Sequence, residues 1–113
     1  MITVEKLREY GADVDEGLAR CYGNEALYLR LVGMVPEEAN FNKLKEALDA
    51  NDMDAAFEAA HAIKGVLGNL SLTPLYYKAS EMTELLRSKK DTDYSGHLKE
   101  LFEMRDKLGS LCQ

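Results

Sequence analysis

The chain has 113 residues, 46% hydrophobic and 30% charged, with 20 acidic against 14 basic side chains and a net charge of −6. That length suits one domain around one core, and the excess of acid makes the chain a poor candidate for a duplex-binding module, which needs a clustered basic surface. No stretch has the length and apolarity of a membrane span, and the first residues lack the basic flank and apolar run of a signal peptide.

Apolar residues recur at helical spacing along the whole chain, and no segment alternates at strand period. Thr3 is placed to cap a short first helix through Tyr10, with Val4 and Leu7 inward and Gly11 as its stop. Asp13 caps a second, with Val14, Leu18 and Cys21 inward and Gly23 at its end. Asn24 opens a third, with Leu27, Leu31 and Met34 on its inner side. Pro36 disfavours a helical conformation at Val35, so an end or kink is expected there, followed by a connector to Asn40.

From Asn40, Phe41, Leu44 and Leu48 mark a fourth helix ending before Asn51. Asp54 is the expected N-cap of the fifth. Thr73 as N-cap with Pro74 at the first helical position starts a sixth, which buries Leu75, Ala79, Met82 and Leu86 and ends near Ser88. A cap within Asp91 to Asp93 starts the seventh, where Leu98, Leu101, Phe102, Arg105 and Leu108 keep helical spacing to near Leu111. Short connections favour antiparallel neighbours. The expected fold is all-α: an antiparallel four-helix bundle with additional short N-terminal helices, a single domain over residues 1–113. Cys21 and Cys112 sit on apolar stripes without metal-ligand spacing, and are expected as buried free thiols in a reducing cytoplasm.

The fifth helix has two unlike faces. Ala56, Ala60, Ile63, Leu67 and Leu70 form an apolar stripe, whereas Phe57, His61, Lys64, Gly65 and Gly68 form a second stripe on another side. Glycine inside a helix costs about 1 kcal/mol relative to alanine, and here two of them follow a histidine. A neutral imidazole is a nucleophile near neutral pH. A phosphoryl group on His61 adds negative charge that the Lys64 ammonium, one turn on, would offset. Gly65 would let a large partner approach, while Gly68 has two readings, docking clearance or tight helix packing. On the following helix, Thr83 and Arg87 should lie level with His61, Thr83 as a hydrogen-bonding group and Arg87 as a cation. His97 has Glu100 and Leu101 where His61 has Lys64 and Gly65, and reads as a surface residue.

The stretch AHAIKGVLGNLSL, residues 60 to 72, resembles the signature of the histidine-containing phosphotransfer (HPt) domains, roughly His-x-x-Lys-Gly followed by small residues, Leu and often Gly. GADVDEGLARCYGNEALYLRLV and FNKLKEALDANDMDAAFEAAH extend the likeness through the N-terminal region and the lead-in to the histidine, and the last helix matches in apolar pattern only. The resemblance implies a phosphocarrier of multistep phosphorelays. His61 would accept a phosphoryl group through Nε2 from the aspartate of a response-regulator receiver domain and pass it to another. Lys64 would stabilise the charge and Gly65 give clearance; by their places on the two helices, Phe57, Gly65, Gly68, Thr83 and Arg87 are the residues expected to meet the partner. Receiver domains are the implied partners, with a hybrid histidine kinase as a further candidate. No cofactor is implied for the chain itself, because Mg²⁺ belongs to the receiver, and no glycine loop for ATP is present.

Two positions depart from the family pattern: Leu67 replaces a small residue and Ser71 a common glycine. Leu67 lies on the apolar stripe and Ser71 at the helix end, so neither touches the proposed chemistry. Two other classes compete with the phosphocarrier. One is a non-phosphorylated adaptor that binds and sequesters a receiver or kinase, for which an intact His61, Lys64 and Gly65 set would be superfluous. The other is an enzyme using His61 as a general base, which requires a partner acid and a concave pocket.

Overall fold

The computed structural model describes all residues, 1–113, and is helical throughout, without strands. Its elements are α1 (Val4–Tyr10), α2 (Val14–Arg20), α3 (Glu25–Met34), a 3₁₀ turn (Val35–Glu37), α4 (Ala39–Asp49), α5 (Met53–Asn69), α6 (Thr73–Arg87) and α7 (Tyr94–Leu111). The starts follow from side-chain capping: Thr3 accepts from the Lys6 N–H, Asp13 from Glu16, Asn24 from Leu27 and Asp93 from Ser95. Two starts differ from expectation. Asp52, not Asp54, caps α5 by accepting from the Ala55 N–H, which leaves Asp54 inside the first turn. At α6, Leu72 is the N-cap residue and Thr73 is already helical, its hydroxyl donating instead to the Ser71 carbonyl at 3.3 Å.

Five of the seven helices, all but α3 and α7, end by one rule that glycine alone does not reveal. Gly11, Tyr22, Asn51, Ser71 and Lys89 all take positive φ, between 53° and 107°. After each, the chain closes a paired turn back onto the helix. For α5 the Ser71 N–H donates to the Gly68 carbonyl and the Leu72 N–H to Leu67, the Schellman arrangement that satisfies terminal carbonyls. Four of the five positions carry a side chain in a conformation that favours glycine.

In the bundle α4 packs on α5, α5 on α6, and α6 on α7, while α4 also meets α7. The core between them holds Phe41, Leu44, Ile63, Leu67, Leu75, Met82, Leu101 and Leu108, all essentially inaccessible. Phe102 packs edge-on against Phe41 with ring centroids 6.1 Å apart, and the Arg105 guanidinium lies over both rings at 4.2 and 5.4 Å. That stacking accounts for an arginine in an otherwise apolar register. His97 is less exposed than the expected surface residue, with a quarter of its side chain still accessible. It is half-buried between α6 and α7, its Nδ1 2.9 Å from Lys78 Nζ and 3.1 Å from Glu81, while Lys78 also reaches Glu100 at 2.7 Å.

The molecule extends 41 Å along its long axis against 24 and 20 Å across. The inner face of α3 is not the expected one: Tyr28 and Val32 are buried, Leu27 and Leu31 are half-buried, and Met34 is 61% exposed. Tyr28 decides this. Its ring fills the space beside Gly17 of α2, and its hydroxyl donates to the Leu70 carbonyl at 2.9 Å, tying α2 and α3 to the end of α5. Cys21 and Cys112 are free thiols, Cys21 buried and Cys112 half-buried, where burial pushes its thiol upward. No helix is long and apolar enough to cross a membrane.

Candidate functional site

α5 turns its apolar stripe inward, with Ala56, Ala59, Ala60, Ile63 and Leu67 buried, and this packing leaves the opposite side available. His61 is exposed there in the middle of the helix, so the bundle presents an imidazole to solvent on a rigid support. Its ring lies nearly parallel to that of Phe57, one turn earlier, with centroids 5.8 Å apart and planes at 15°. Phe57 is itself half-buried and carries the Arg87 guanidinium over its ring at 5.2 Å.

Lys64 and Gly65 follow one turn beyond His61. The cations nearby are engaged elsewhere, Arg20 with Glu16 at 2.9 Å and Arg87 with Glu84 at 3.3 Å, while the Lys64 ammonium has no ion-pair partner. A free ammonium three residues from an exposed imidazole is available to an incoming anion. Gly65 is exposed, and a Cβ built on it would meet nothing within 4 Å. Internal packing therefore gives no reason for a glycine at this position.

Gly68 is different. A Cβ there would come within 3.1 and 3.3 Å of the Tyr76 ring, so its small size serves the contact between α5 and α6, and packing rather than docking clearance accounts for it. Leu67, the departure from the family pattern, is fully buried in the core and away from the histidine face.

Three contacts mark the register of α6 against α5: Asp54 with Lys89, just past the end of α6, at 4.0 Å, Phe57 with Arg87, and Gly68 with Tyr76. The two helices run in opposite directions, and His61 falls level with Met82 and Thr83. Level is not the same as facing. Thr83 is completely buried and its hydroxyl donates to the Ala79 carbonyl at 2.7 Å, so the expectation that it would bond the imidazole or a partner is corrected. A threonine one residue off the solvent side of a helix satisfies its hydroxyl on its own backbone. Arg87 is exposed and reaches the site through Phe57.

Sequence reasoning did not find the surroundings of this face. A polar cleft of about 450 Å³ runs from Lys64, Gly65 and Gly68 to Asp13, Glu16 and Arg20 of the α2 region and to Tyr76 and Tyr77 of α6. On the other flank Leu31, Met34, Val66 and Leu70 line an apolar groove of about 260 Å³. Helical spacing marks Leu31 and Met34 as apolar, but their exposure depends on how α3 rotates about Tyr28.

Against known families, the model described as the Hpt domain matches residues 37–112, from the 3₁₀ turn to the end of α7. No curated protein and no solved structure matches the chain significantly.

Proposed function

The chain belongs to the Hpt domain family, and we propose from this that it is a phosphohistidine carrier with His61 as its phosphoacceptor. Hpt domains serve as phosphocarriers in phosphorelays, and the finer reading concerns this chain's residues. The observation that carries it is one exposed helix face bearing His61, an unpaired Lys64 ammonium and open space at Gly65. The four long helices act in this reading as an antiparallel four-helix bundle that keeps the face rigid.

The phosphoryl donor is the aspartyl phosphate of a receiver domain. The neutral imidazole, with its proton on Nδ1, attacks phosphorus through the Nε2 lone pair. The Nε2–P bond forms as the P–O bond to the receiver aspartate breaks, and the aspartate carboxylate leaves with the electron pair. Nδ1 keeps its proton until solvent takes it, and Lys64 faces the charge that remains on the phosphoryl oxygens. Transfer to a second receiver reverses the same steps. The receiver supplies the aspartate and Mg²⁺, and this chain supplies the nucleophile, a cation and room for docking.

The test is incubation of the protein with phosphorylated receiver domains and Mg²⁺, followed by assay for acid-labile, base-stable phosphate. Label should appear on the wild type and be absent from His61→Gln, with unchanged helicity. Label retained by that variant places the site elsewhere. Binding without any transfer favours the adaptor that only sequesters a receiver or kinase.

A further inference from the structure

An exposed imidazole on a helix has several rotamers of similar energy, yet His61 is held in one plane by a single neighbour. Phe57 stacks on it at 5.8 Å with the rings 15° from parallel. His97 makes the contrast: polar contacts to Lys78 and Glu81, at 2.9 and 3.1 Å, hold that ring by its Nδ1. The His61 ring is oriented through its face, which leaves the nitrogens at its edge free for chemistry. Phe57 is also not loose. It is half-buried, and the Arg87 guanidinium, held by Glu84 at 3.3 Å, covers its ring at 5.2 Å.

We propose that Phe57 is a positioning residue: it fixes the plane of the His61 imidazole for phosphoryl transfer, with Arg87 of α6 as its brace. The inference rests on the reading of His61 as phosphoacceptor, and it assigns Phe57 a role other than meeting the partner. The physical basis is orientation. In-line transfer requires the attacking nitrogen opposite the leaving bond, and small misplacements of a reacting group reduce rates steeply. An aromatic stack supplies orientation without occupying a ring nitrogen. A guanidinium over the outer ring narrows the motion of Phe57 in turn.

The experiment compares the wild type, Phe57→Leu, Phe57→Tyr and Arg87→Met with two phosphoryl donors, a phosphorylated receiver and the small molecule phosphoramidate. The His61 carbon-bound ring protons are followed by NMR in each. Phe57→Leu should lose the ring-current displacement of the His61 signals and slow uptake from both donors by about five- to tenfold. Phe57→Tyr, which keeps the ring, should restore both to within about twofold. Arg87→Met should shift the His61 signals part of the way toward those of Phe57→Leu, and it decides the matter if Phe57→Leu does not fold. Slowing with the receiver alone would make Phe57 a docking residue and overturn the proposal, as would unchanged His61 signals or unchanged rates in a folded Phe57→Leu. A wild type that takes no phosphate from either donor would bring down the phosphocarrier reading itself, and the inference with it.

Discussion

Glycine carries opposite meanings at two positions of this chain. At Gly65 the space where a side chain would stand is open, whereas a Cβ on Gly17 would lie 2.5 to 2.7 Å from the Tyr28 ring. Tyr28 is fully buried and its hydroxyl is committed to Leu70, so it has nowhere to move. Gly65→Ala should therefore raise stability by about 0.5–1 kcal/mol through helix propensity, and Gly17→Ala should lower it by about 1–3 kcal/mol through overpacking. Thermal melts of the two variants check this, and equal destabilisation would mean that Gly65 is structural after all. If Gly65→Ala is the more stable protein, a bulkier Gly65→Gln should remain folded and slow transfer from a receiver. Unchanged transfer in that variant would remove docking clearance as the reason for the glycine.

At the scale of the element, the turn after α5 is the place where this chain departs from its family with a visible consequence. Ser71 stands where glycine is common, takes φ of 54°, and is buried with a hydroxyl that finds no partner. Left-handed backbone is unfavourable for a residue with a Cβ by about 1–2 kcal/mol, and a buried unsatisfied hydroxyl adds to that. The turn persists because its backbone is held from outside: the Asp13 N–H donates to the Ser71 carbonyl at 2.9 Å, and Leu70 receives the Tyr28 hydroxyl at 2.9 Å. Ser71→Gly should stabilise the fold by about 1 kcal/mol, measured by denaturant unfolding, without altering phosphoryl uptake. A loss of stability would show that the serine makes a contact through water that outweighs the strain.

Across the whole molecule, stability should fall on both sides of neutrality. Glu81 is held below the usual carboxylate range, first by its hydrogen bond from Lys78, despite some opposing desolvation. Arg8 does the same for Asp15, and Ser95 for Asp93 at the α7 cap. A lowered carboxylate stabilises the fold above its ordinary pKa, and that contribution is lost as pH falls through the lowered value. Tyr28 behaves oppositely. Burial pushes its phenol from 10.0 up to about 12, so the fold retains a proton that the unfolded chain releases. That contribution is full below pH 10 and disappears as pH rises toward 12. Thermal melts followed by circular dichroism against pH should show a slightly lower midpoint below the carboxylate range, where exposed pairs contribute little, and a larger fall in this alkaline window, the latter together with late tyrosinate absorbance. Tyrosinate formation complete before any helix is lost would contradict the burial of Tyr28.

The all-α character, the seven helices, the inward stripe of α5 and the grouping of His61, Lys64 and Gly65 were all determined by the sequence itself, because residues three and four apart on a helix share a face whatever the rest of the chain does. The caps at Thr3, Asp13 and Asn24 were equally legible, since a cap needs only its own first turn. What crosses between helices was not. Periodicity puts Thr83 near His61 in height, but the rotation of α6 decides that it is buried while Arg87 reaches Phe57. Leu31 and Met34 have an apolar pattern that suits a core, and the bond from Tyr28 to Leu70 turns them toward a surface groove instead. Gly65 and Gly68 are indistinguishable as letters, and only Tyr76, brought alongside by the turn at Ser71, makes one a packing residue and leaves the other open. A helix specifies its own faces locally, whereas the direction each face points is settled by side chains far away in the chain.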